Sequence, residues 1–260
     1  MTPMLPVYPI VNCSLNGGDN GISRFDEVDR DRRLLNTFGC LPRDALNFDP
    51  ERRKIAVAAL GEKLRGIRPR PVAVGEIGLD YRYGDTNERR TRQRAYLAEV
   101  LRMLKGDPDL QDLPIVLHVP GKNYWDESAS DDCLLILQEC GIGENHRLYR
   151  HCFNGTENEA AKWIQNFPLV RFGASPKLLG SSANEDAKAF FASCSLQYVL
   201  VETDSPAIPC PEMAGPSNIN HPFQIGYLYR WLAALRGLDD LMPMTREINA
   251  NFFQFYGITP

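Results

Sequence analysis

Four apolar, β-branched runs in this chain each end on a side chain that binds divalent metal. Val72-Ala73-Val74 leads to Glu76, and Pro114-Ile115-Val116-Leu117 leads to His118. Arg147-Leu148-Tyr149-Arg150 leads to His151, and Tyr198-Val199-Leu200-Val201 to Glu202 and Asp204. Short runs of this kind predict buried parallel strands. Ligands at the C-terminal ends of successive parallel strands converge on one mouth of an α/β barrel. The pattern predicts strands at 7–13, 33–38, 72–76, 114–118, 147–151, 168–173 and 197–203. Helical spacing predicts helices at 87–105, 131–140, 157–166, 184–194, 223–237 and 245–256. This strand–helix alternation is the mark of parallel α/β architecture.

The N-terminal quarter fits worst. Only 24 residues (15 to 38) separate Ser14 from Gly39, and they start with the turn-prone Asn16-Gly17-Gly18-Asp19-Asn20-Gly21. A helix, a strand and another helix hardly fit there, since a mean helix takes about 11–12 residues and a mean strand about 5–6. No eighth strand is visible, so the barrel is expected to be incomplete or irregular in this quarter.

At 260 residues the chain suits one large α/β domain, and a single domain over 1–260 is the expectation. A net charge of −4 means that no field of positive charge advertises nucleic-acid binding. Any polyanion must therefore be met by local Arg and Lys groups or by metal. The seven cysteines are scattered without CxxC pairing, which predicts reduced thiols in a cytoplasmic or nuclear protein. No apolar run approaches the roughly 20 residues of a membrane span.

Glu76 lies in Gly75-Glu76-Ile77-Gly78-Leu79-Asp80-Tyr81, where flanking glycines let the backbone turn sharply and approach a ligand closely. A lone histidine after an apolar strand is usually a satisfied core residue. His118 and His151 at matched strand ends, two of four in the chain, argue for ligation instead. Asp204 would either bind the metal or take a proton from water as general base; an Asx-type turn before Pro206 is the plainer reading.

Gly75–Tyr81, His151-Cys152-Phe153-Asn154-Gly155 and Val201–Pro206 resemble three signature motifs of the TatD family of metal-dependent deoxyribonucleases. The resemblance runs in order from about Leu35 to the C-terminus, and Arg150 before His151 is similar to the metazoan branch. It implies a TIM-type (β/α) barrel that hydrolyses phosphodiester bonds at DNA or RNA ends with two metals. Glu76, His118, His151 and Asp204 would be the metal ligands, with Glu76 and Asp204 catalytic. Family members also place substrate contacts near His221, which is read equally as a loop cap. Tyr81, Tyr83, Tyr124 and Trp125, just after ligand-bearing strands, would either stack on splayed bases or pack the loops.

Three departures qualify that expectation. The family's first strand ends in a His-x-His pair, and here Asn12 and Ser14 stand in those places. A neutral amide and a hydroxyl are poor ligands for a transition metal. The family's Gly-x-His-Pro turn reads Gly39-Cys40-Leu41-Pro42, without the histidine. Pro120 replaces the basic residue two places after the strand-five histidine, so Lys122 is the candidate phosphate contact. The expectation is therefore one divalent ion (Mg²⁺, Mn²⁺ or Zn²⁺) rather than two, with weakened catalysis. The alternative is an inactive barrel that binds nucleic acid or protein.

Overall fold

The computed structural model describes residues 10–14 as backbone, and 35–66, 72–83, 86–180, 184–209 and 220–259 in full. Seven strands form one parallel sheet in chain order: β1 (Ile10–Ser14), β2 (Leu35–Gly39), β3 (Ala73–Gly78), β4 (Ile115–His118), β5 (Leu148–Arg150), β6 (Arg171–Ala174) and β7 (Val199–Val201). Each predicted strand has its counterpart. Of the segment expected to be irregular, residues 15–38, positions 15–34 lie outside the described residues and 35–38 belong to β2; no eighth strand occurs among the residues described.

The helices are α1 (Pro42–Ala45), α2 (Pro50–Gly66), α3 (Asn87–Lys105), α4 (Ser128–Glu139), α5 (Glu157–Asn166), α6 (Glu185–Ser193), α7 (Ile225–Leu235) and α8 (Met242–Tyr256). Two starts are written in the local sequence. Thr86 Oγ1 accepts from the Arg89 amide ahead of α3, and Thr156 Oγ1 from the Glu159 amide ahead of α5. Each satisfies an amide that a helix N-terminus leaves without an internal partner. At the other end of the chain, Gly257 takes φ 65° and closes α8.

Alternation along the strands separates two cores. Ile115 and Leu117 of β4 join the large cluster beneath the helices, whereas Val116 joins a smaller one on the opposite face. That inner cluster also holds Ala73, Tyr149, Leu200, Phe255 and Tyr256, so residues of α8 pack against the inner side of the strands. With both faces covered, the strands read as continuous apolar runs. Side-chain period two then carries the inner face onward from Val116 to His118, from Tyr149 to His151 and from Leu200 to Glu202.

Strand β3 breaks that period. Ala73 is inner and Val74 outer, yet Ile77 is also outer, three residues after Val74. The register to β4 shifts between Val74 and Ile77. Without the shift Glu76 would share the outer phase of Val74; the irregularity re-aims it. Gly75 makes the break possible. Its φ is +150°, and a Cβ there would fall 2.6 Å from the Val116 carbonyl oxygen.

Candidate metal centre

Three of the sequence-predicted ligands meet at the C-terminal ends of the strands. Donor atoms of Glu76, His118 and His151 all lie within 4.8 Å of one another. Glu76 Oε2 is 3.4 Å from His118 Nδ1 and 3.6 Å from His151 Nε2. Asp204 Oδ1 also stands 3.6 Å from the same Nε2. Around a tetrahedral ion with ligands at about 2.1 Å, donors sit roughly 3.4 Å apart. The separations around Glu76 fit that spacing, and the two imidazoles with the Glu76 carboxylate suit a borderline divalent cation, with Asp204 standing beside His151.

Both imidazoles are also held from behind, by Asp80, to which the sequence reading gave no role, and by Glu202, which it read as closing a metal-binding strand end. His118 Nε2 lies 3.1 Å from Asp80 Oδ2, and His151 Nδ1 lies 2.6 Å from Glu202 Oε2. The second oxygen of Glu202 accepts the Cys152 backbone amide at 2.5 Å. In each histidine one nitrogen thus faces Glu76 while a carboxylate fixes the other, the arrangement that orients ligating histidines. One signal was available: Glu202 is two residues beyond the inner Leu200, in phase with it.

Electrostatics follow from this crowding. Burial alone would push the His151 imidazole down, but Glu202 and Glu76 beside it raise it well above its ordinary value. His118 is likewise raised, against its burial, by hydrogen bonds to Asp80 and Glu76. Asp80 goes the other way. Although burial opposes ionisation, Arg82 and His118 hold it at about 2. Asp204 is raised above the usual carboxylate range, by burial first and by Glu202 and Glu76, with His151 partly offsetting them.

A cavity of about 660 Å³ opens over this cluster, lined by His118, His151 and Asp204 together with Lys122, Tyr124 and Lys177. The other predicted contacts distribute unevenly. Tyr81 is a correction: it is fully buried, its hydroxyl is hydrogen-bonded to Asp132, and Arg90 stacks 4.3 Å over its ring. No face is left for a base. His221 is exposed and stacks at 5.3 Å on Phe223, outside the lining of that cavity. Trp125 is 67% exposed beside the mouth-forming loop after β4. His146 bonds the Leu113 carbonyl at 3.0 Å before β5, a structural role at the opposite end. β1 lies against β2 with Asn12 opposite Thr37 and Ser14 opposite Gly39; their side chains are outside the described residues.

If Glu202 orients His151, Glu202→Gln should lower divalent-metal affinity about 10- to 100-fold while the chain stays folded. Competition against a chromogenic chelator measures this directly. An unchanged affinity would mean His151 needs no such support.

A parallel α/β sheet with histidines and carboxylates gathered at its C-terminal strand ends defines the class of barrels built around a divalent-metal site. Within that class the chain belongs to the TatD related DNase family, whose model matches residues 13–257. It is 27% identical over 182 residues to the human 3′-5′ RNA nuclease TATDN2, covering 70% of this chain and 21% of that protein. It is 26% identical over 185 residues to the uncharacterised metal-dependent hydrolase YcfH of Escherichia coli K12, covering 70% of this chain and 62% of that one. The chain therefore spans less than two thirds of these relatives' own lengths. Among solved structures, the TatD homologue YjjV of Escherichia coli K12 superposes with a TM-score of 0.75 at 22% identity, covering 97% of this chain and 87% of the other. An uncharacterised amidohydrolase from Saccharomyces cerevisiae gives 0.74 at 16% identity, with 95% and 87% covered. These likenesses establish the TIM-type barrel fold. No described helix is long and apolar enough to cross a membrane.

Proposed function

We propose that this chain is a metal-dependent phosphodiesterase acting on the ends of DNA or RNA, working from one well-held divalent cation. The observation that carries the reading is the convergence of the Glu76, His118 and His151 donor atoms at ligand spacing. These residues, with Asp204 alongside, would hold the ion. When bound, it would supply Lewis-acid charge to a phosphoryl oxygen and acidify water.

The protein's own groups supply the rest. Asp204, which lines the cavity beside His151, is placed to take the proton of an attacking water as general base. Water oxygen bonds to phosphorus while the bond to the departing sugar oxygen breaks, and the proton taken from water passes on to that oxygen, giving a phosphate monoester and an alcohol. Asp80 and Glu202 keep the imidazoles from rotating. Lys122 lines the same cavity and offers an ammonium to the phosphate. A barrel that only binds nucleic acid or protein is the second reading, favoured by Asn12 and Ser14 in place of the family's first-strand pair.

Elemental analysis of the purified chain, beside cleavage of a 3′-labelled single strand with Mg²⁺, Mn²⁺ or Zn²⁺, separates the two. The expected result is bound metal near one equivalent and cleavage that chelator abolishes. A folded chain with neither metal nor cleavage would assign it to binding alone.

A further inference from the structure

Two basic side chains beside the metal centre have no part in the chemistry above. Arg82 follows Asp80 by two residues, in the loop after β3. Its Nε and Nη2 grip the Asp80 carboxylate at 2.9 and 2.6 Å, and Nη2 also stands 3.3 Å from His118 Nε2. The guanidinium is thereby fixed against a candidate metal ligand, yet the side chain is 45% exposed and lines the cavity. Nη1 makes no hydrogen bond among the described residues. Lys177, in the 3₁₀ turn Pro176–Leu179 after β6, lines the cavity from across the mouth and makes no ion pair among the described residues. Its Nζ lies 6.0 Å over the Tyr124 ring.

The acids lining the same cavity are already engaged. Glu159 pairs with Arg150 at 2.8 Å, Asp126 accepts the Lys122 and Ser128 amides at 2.9 and 3.1 Å, and Asp204 faces His151. In a chain whose net charge is −4, three basic side chains lining one cavity whose acids are engaged elsewhere, Lys122 and Lys177 with no ion pair among the described residues and Arg82 with N–H groups to spare beyond Asp80, mark it as an anion site.

We propose that Arg82 and Lys177, together with Lys122, clamp the non-bridging oxygens of a nucleic-acid phosphate from three loops. They supply positive charge at the centre where the altered first strand no longer offers ligands for a second cation. Arg82 suits this because a guanidinium pre-set by one carboxylate presents its remaining N–H groups in a fixed plane, at low entropic cost. The same charge acting where negative charge gathers in phosphoryl transfer would favour the reaction as well as binding. This inference rests on the phosphodiesterase reading.

The test is binding without metal. A short fluorescein-labelled single strand is titrated in EDTA into wild-type protein and into Arg82→Gln, Lys177→Ala and, as a control on α2, Lys54→Ala, over a series of salt concentrations. Each clamp variant should weaken binding about tenfold and reduce the salt slope by about 0.7, while Lys54→Ala matches wild type. Lys177→Ala touches none of the contacts around His118 and His151, so its loss cannot be assigned to a displaced ligand. Unchanged affinity and slope in both variants, with a wild type that cleaves, would overturn the clamp and leave the phosphodiesterase standing. A wild type that neither binds the strand nor cleaves it with metal would overturn both.

Discussion

Glu76→Gln is expected to abolish metal-dependent cleavage and to reduce bound metal to background, with the far-ultraviolet circular dichroism unchanged. The reasoning is geometric. Oε2 of Glu76 is the donor that both histidines share, at 3.4 and 3.6 Å, so it is the centre of the cluster rather than one arm of it. Glutamine keeps the shape but loses the anion. Its amide gives no charge to offset a divalent ion between two neutral imidazoles, and metal binding requires its ligands in their deprotonated forms. The backbone cost should be small, because the turn is set by Gly75 and Gly78, both at positive φ, rather than by the carboxylate. The loss should exceed that of Glu202→Gln, which removes only the support behind one ligand. Metal content and cleavage measured on the same preparations check this. Cleavage at the wild-type rate would reject the proposed centre, while lost cleavage with retained metal would move Glu76 from ligand to acid–base group.

How much of this centre was legible before the structure depended on the kind of signal. Strand ends were legible because burial on both faces writes an unbroken apolar run, and the residue closing it is automatically at the mouth. Helices α3 and α5 were legible because helical spacing runs through them, and in the structure Thr86 and Thr156 fix where they start. Helix α2 was not predicted. It is rich in alanine and charge, and only Val57, Leu60, Gly61 and Leu64 of its 17 residues are buried, too thin a stripe to stand out. The roles of Asp80 and Glu202 were hidden for a different reason: each acts on a histidine 38 or 51 residues away, a relation that only the sheet's register creates. Tyr81 misled because alternation ceases to apply once a strand ends. The chain turns, and a ring one residue past Asp80 enters the core instead of the mouth. Residues 15–34, most of the stretch where the missing unit was expected, lie outside the described residues.

Arg150→Met should cost about 3–5 kcal/mol of stability, which for a chain of this size lowers the melting midpoint on the order of 10 °C. Strand β5 is three residues long, and its last residue faces outward while the next, His151, faces the metal centre. Arg150 ties that short strand to the helices around it. Its Nη2 pairs with Glu159 at 2.8 Å, Nη1 donates to Ser130 Oγ at 3.2 Å, and its plane stacks 4.5 Å from the buried Trp163 ring. Glu159 is spent on this pair rather than on capping α5, where it occupies the third helical position after Thr156. Both partners are buried, so removing the arginine strands a carboxylate away from water. That penalty, more than the lost attraction, sets the size of the effect. The double variant Arg150→Met, Glu159→Met leaves no stranded charge and should recover most of the loss, with a coupling of 0.5–3 kcal/mol in the usual range for residues in contact. Urea denaturation of the four proteins gives the cycle, provided the slope is constant across them. Additive losses would show that the pair is not a unit. Recovery of stability with metal affinity still reduced would show that the arginine, through β5, also sets where His151 points.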